Sequence, residues 1–165
     1  MRLGLIVGLC TLIVSAFVPK ASASSDETNT CPITTVPATP FVPPIPYRPT
    51  AAPDSFWFGT NGLWTSLGVQ GVWHSPPRRD DGYFNKLFLW QEGYDVQKEP
   101  KPEIVVILRR LDSDAPLVVS RGGTNAHFGG TWAMLTGVTF PTEGCWEITT
   151  YHAGHLLTFV GSVQP

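Results

Sequence analysis

Cysteine, basic charge and long apolar runs are all scarce in this chain, and each shortage removes a class of protein. Three cysteines in 165 residues, with no Cys-x-x-Cys pair, leave no zinc ribbon and no disulfide-dense scaffold. Eleven Lys and Arg face thirteen Asp and Glu, so there is no basic surplus to hold nucleic acid or an anionic membrane. After Val18 no apolar stretch approaches the roughly 20 residues that a membrane-spanning helix needs. No Gly-x-Ser-x-Gly elbow occurs, and Gly122-Gly123 and Gly129-Gly130 lack the Gly-Lys-Ser/Thr of a phosphate loop. Ser120 and Ser162 read as ordinary strand-end serines.

What is present begins with a leader. Arg2 supplies a positive start, Leu3 to Val18 is almost wholly apolar, and Ala21-Ser22-Ala23 is a small-x-small cleavage site. This is the layout of a secretory signal peptide over residues 1–23. Leu9 before Cys10 argues against a lipidated cysteine, and the run is short for an uncleaved anchor. Cleavage would leave nine basic residues against thirteen acidic ones, a net charge of −4, and no membrane span. The expected address is secreted or periplasmic. There the two remaining cysteines, Cys31 and Cys145, are expected to form a disulfide, with free thiols or an intermolecular bond as the alternatives.

Residues 24–30 are small and polar and predict disorder. Cys31 to Pro53 holds eight of the sixteen prolines, which excludes a regular helix or central strand and predicts an extended arm. Phe41, Val42, Ile45 and Tyr47 would be wasted on a solvated stalk, so the arm is expected to lie along the domain.

Residues 54–165 read as one all-β domain. Asn61-Gly62 marks a tight turn between Phe56-Trp57-Phe58 and Leu63-Trp64-Thr65. Val72 to His74 predicts a strand, Arg78 to Gly82 a charged turn, and Tyr83 to Trp90 a buried strand despite its poor alternation. Ile104 to Leu108, Leu117 to Val119 and Trp132 to Phe140 add further strands, with a loop around Thr124-Asn125-Ala126. The last hairpin joins Trp146–Tyr151 to Leu156–Val163 around Ala153-Gly154. That register puts Ile148 opposite Phe159 and Thr150 opposite Leu157, with Trp146, Ile148, Leu157 and Phe159 facing the core. Cys145, Leu156 and Val160 then face outward. A Cys31–Cys145 bond would draw the arm over them, with Phe41, Val42 and Ile45 as cover. Seven or eight short strands at this spacing predict a two-sheet sandwich.

Chemistry is thinly signalled. His152 and His155 bracket the last turn but read as exposed, and two histidines do not make a metal site; His74 and His127 have no local partners. Glu92 with Asp95, and Asp80-Asp81 beside Arg78-Arg79, read as solvated turns rather than a glycosidase pair. Trp57, Trp64, Trp73 and Trp90 crowd the first half of the domain, and core packing accounts for them better than a glycan platform does.

Taken together, Cys31-Pro32, Pro40-Phe41-Val42-Pro43-Pro44, Phe56-Trp57-Phe58-Gly59, Gly82-Tyr83-Phe84-Asn85-Lys86, Trp90-Gln91-Glu92-Gly93-Tyr94-Asp95, Arg109-Arg110-Leu111-Asp112 and Gly144-Cys145-Trp146-Glu147-Ile148-Thr149 carry a resemblance. The chain resembles a group of exported bacterial proteins without an assigned function. Its ending, Pro141 to Val163, is similar to the last strands of immunoglobulin-like extracellular domains. The resemblance implies an all-β, immunoglobulin-like sandwich, an exported address and cysteines at both positions, and it does not include the hairpin histidines. The expectation is a non-catalytic binding or structural protein of the envelope, with an envelope or extracellular protein or a glycan as partner and no cofactor, metal or catalytic residue. The alternative is a carbohydrate-binding domain or a small envelope hydrolase using the Trp-rich half and the Glu92/Asp95 region.

Overall fold

The computed structural model describes residues 30–47, 51–128 and 130–165. The leader read over residues 1–23 and most of the polar stretch after it lie outside the described residues.

Among the described residues, eleven strands form two sheets packed face to face. The first sheet contains β1 (Ser55–Thr60), β2 (Leu63–Gly68), β5 (Gly82–Trp90), β9 (Thr131–Phe140) and β8 (Thr124–Phe128), in that order, with the two-residue β4 (Arg78–Arg79) also paired to β5. The second runs β3 (Val72–His74), β11 (His155–Gln164), β10 (Gly144–His152), β6 (Val105–Arg110) and β7 (Val118–Arg121). All pairings are antiparallel except β3 with β11. No helix among the described residues is long and apolar enough to cross a membrane.

The two-sheet sandwich follows from alternation, but the sheets use it differently. In the second sheet Val106, Leu108, Trp146, Ile148, Leu157 and Phe159 point inward and are buried, while their neighbours point out. The first sheet is apolar on both faces. Leu63, Leu87, Leu89, Met134 and Phe140 enter the inter-sheet core; Trp57, Trp64, Trp90 and Ala133 build a second cluster on the opposite face. The continuous apolar run Leu87 to Trp90 is thus a strand covered on both sides, which is why its alternation is poor.

The second cluster is roofed by the proline-rich arm. Phe41 and Tyr47 lie on Trp64, with ring centroids 5.5 and 4.9 Å away. The arm begins elsewhere, on the back of the second sheet. Cys31 is bonded to Cys145 with Cα atoms 5.4 Å apart, and Thr34 exchanges hydrogen bonds with Val160. Ile33 sits over Gly71, where any Cβ would strike it.

The arm therefore wraps one side of the sandwich from the second sheet to the first. This corrects the expectation that Phe41, Val42 and Ile45 shield the back of the last hairpin. Phe41 serves the other sheet, Val42 and Ile45 are 61% and 95% exposed, and Leu156 stays bare at 66%. Two further segments differ from expectation. Thr124 to Ala126 belongs to strand β8, because Asn125 and Ala126 pair with Met134 and Ala133 across a hairpin. Arg78–Arg79 pairs with Tyr83 and Gly82, making the charged turn a short ribbon.

Candidate functional site

The β10–β11 turn is two residues, Ala153 and Gly154, both with positive φ (46° and 86°), as a type I′ hairpin requires. It holds His152 at the end of a strand whose inner residues alternate from Trp146, so the imidazole turns inward and is only 2% exposed. This overturns the reading of His152 as an exposed turn histidine. His155, its partner across the turn, is exposed and lies over Gly62 of the β1–β2 turn.

Both His152 ring nitrogens are engaged: Nδ1 lies 2.7 Å from Gln91 Oε1 and Nε2 lies 3.1 Å from Glu99 Oε1. The Tyr94 ring meets the imidazole edge-on, and its hydroxyl bridges the Glu99 carbonyl and Asn125 Oδ1. Burial, with the Glu99 charge as a lesser cause, pushes the Tyr94 phenol up despite its bond to Asn125. These residues border a depression of about 240 Å³. The network clamps the 91–103 loop to the last hairpin. The depression is lined by carboxylates, a lysine, a phenol and the imidazole, with no serine, threonine or cysteine among its described lining residues.

A larger opening lies beside it. Where the arm leaves β11 after Thr34, a groove of about 630 Å³ separates Pro37 and Pro40–Val42 from the outer edge of β1 and from Leu156–Thr158. None of its described lining residues carries a charge. Trp57 forms part of the wall, yet its indole N–H is buried without an acceptor among the described residues, as is that of Trp64.

The other sequence candidates disperse. Cys31 and Cys145 are joined. His74 and His127 are exposed at separate strands, His127 beside Trp132. Glu92 is exposed, close enough to Tyr47 for its charge to add to the burial that raises that phenol, whereas Asp95 pairs with Lys98 at 3.3 Å. No group of three metal-ligating side chains occurs among the described residues. Ser120 donates to the Gly137 carbonyl, a structural use. Of the four singled-out tryptophans, Trp57, Trp64 and Trp90 are buried under the arm, and Trp73 packs between Phe140 and Phe159.

Sequence reasoning missed Gln91, Glu99 and the groove. Gln91 and Glu99 meet His152 only through a fold contact across more than fifty residues. The groove depends on the path of the arm. Comparison with protein-family models, curated proteins and solved structures finds no match to this chain.

Proposed function

We propose that the protein is an exported, non-catalytic binding module that meets its partner outside the cytoplasm, through the groove beside the arm. The observation that carries this reading is the open groove at the side of the sandwich, whose described lining is uncharged. Concave apolar sites with few polar groups are the usual seats of ligands. The leader pattern of residues 1–23 and the long-range disulfide support the address.

The composition argues against nucleic acid as partner. The burial of Trp57 and Trp64 argues against those two rings as a stacking platform for sugars, which needs exposed faces. The rival reading, a small hydrolase, has one observation in its favour, the Glu99–His152 pair at the mouth of a depression.

Expression with the native N-terminus, followed by cell fractionation and mass spectrometry, tests the address. The expected product lies outside the cytoplasm, begins at Ser24 and carries no alkylatable thiol. A cytoplasmic, reduced protein would sink the reading. So would turnover of a polysaccharide, ester or peptide substrate that Glu99→Gln abolishes.

A further inference from the structure

We infer that the groove is an acceptor notch for an extended polypeptide segment of a partner, which adds as a short strand to the edge of β11 at Leu156–Thr158. The inference rests on the binding-module reading and names its ligand class.

In an antiparallel ladder, alternate residues turn their N–H and C=O groups toward opposite neighbours. On β11 the residues facing away from β10 are Leu156, Thr158, Val160, Ser162 and Gln164, as the bonds of Val160 to Thr34 and of the Ser162 N–H to Gly71 demonstrate. Ser162 and Gln164 are also paired with β3. The edge is therefore filled from Gln164 back to Val160 and then stops.

At Thr158 and Leu156 the outward N–H and C=O groups have no partner among the described residues, because the arm, rich in prolines that cannot donate, swings off toward Trp64. Unpaired strand edges are templates for another strand. The chain already uses this one in cis: Thr34 adds to it through both an N–H and a hydroxyl. The empty part continues that docking line.

The shape agrees. The outer edge of β1, the terminal strand of its sheet, forms the facing wall, and the lining is apolar or hydroxylic throughout. A segment of about three to five residues would fit the usual span of a short strand. Walls whose described residues carry no charge select small or β-branched uncharged side chains rather than a phosphate, a carboxylate-rich peptide or a polyanion.

The test pans random linear peptides displayed on phage against the oxidised full chain. The selected peptide is then followed by amide hydrogen exchange and by scanning backbone N-methylation. The Leu156 and Thr158 amides are expected to exchange fast in the free protein and to become protected on peptide binding. Methylating alternate peptide amides should weaken binding about tenfold at bonded positions and little at those between. Thr158→Pro, which removes an outward N–H that the fold does not use, should abolish binding while leaving the rest of the exchange pattern intact. Where that variant does not fold, exchange and methylation in the native chain decide alone.

The strand-addition proposal is overturned if no peptide is selected, or if a bound peptide leaves both amides exposed. It is equally overturned if both amides become protected with rising protein concentration alone, since a second copy would then fill the notch. A polysaccharide that binds away from β11 would end strand addition yet keep the binding-module reading; catalytic turnover would end that reading itself.

Discussion

The two histidines of the last hairpin stand three positions apart, yet their energetic roles differ. His152 is enclosed, with a polar partner at each nitrogen; removing its ring leaves a cavity and strips Gln91 and Glu99 of their contacts. His152→Ala is expected to lower the unfolding free energy by about 2–4 kcal/mol in urea titration, against less than about 0.5 kcal/mol for His155→Ala. Similar losses at both sites would contradict the clamp. Asp112 is the second decisive residue: it accepts from the Arg110 guanidinium and from the Cys145 N–H, 3.0 Å away. The Arg110 bond, first, and the Cys145 N–H hold its carboxyl below the usual carboxylate range. A folded pKa below the unfolded value gives stability that is present above about pH 4 and is lost as pH falls through the folded pKa. Asp112→Asn should therefore cost about 1–2 kcal/mol at neutral pH, with the gap from the native chain closing under acid. A pH-independent gap would refute the ion pair as its cause. These roles were only partly legible. Alternation put Ile148 opposite Phe159 and turned Trp146 inward, and the same count carried two strides further faces His152 inward too. Its polar partners are separated from it by more than fifty residues, and no local pattern announces such a contact.

At the scale of elements, the arm is the piece whose behaviour depends most on covalent chemistry. Its bond from Cys31 to Cys145 spans 114 positions, and its remaining anchors are few: Thr34 on Val160, Ile33 on Gly71, Phe41 on Trp64, and the Tyr47 hydroxyl donating to the Gln91 carbonyl at 2.7 Å. In the chain-entropy account, closing so long a loop stabilises the fold by about 4–5 kcal/mol. The Cys31→Ser, Cys145→Ser double variant is expected to lose up to that amount in urea unfolding. It should also red-shift the tryptophan emission as water reaches Trp64. An unshifted spectrum would mean that the aromatic anchors hold the arm without the bond. The pairing of the cysteines and the apolar character of the arm were readable from compartment and composition. Its destination was not. The sequence displays the outward apolar residues of β11 and the hidden ones of β1, β2 and β5 equally, and proline spacing does not say which face the arm will cover. Trp57, Trp64 and Trp90, spread over three strands, form one surface only once β2 pairs with β5.

For the whole molecule, the arm makes the sandwich lopsided. The arm covers the outer face of the first sheet over Trp57, Trp64 and Trp90, while the outer face of the second is covered only near Cys145. Across the uncovered part run two rows set by strand register: Val119, Ile107, Thr149 and Thr158, then Arg121, Val105, Tyr151 and Leu156. Val119 is 51% exposed, on the edge strand β7. An apolar edge of this kind invites pairing between copies, and its defences here are the shortness of β7, Pro116 just before it and Arg121 at its end. A charge placed in the middle of that edge should strengthen the defence without touching either core. Val119→Lys is expected to change the unfolding free energy by less than about 1 kcal/mol. It should also lower light scattering at high protein concentration. A larger loss of stability would mean that Val119 is packed against something in solution, and unchanged scattering would move any self-association to the bare edge of β11 at Leu156 and Thr158.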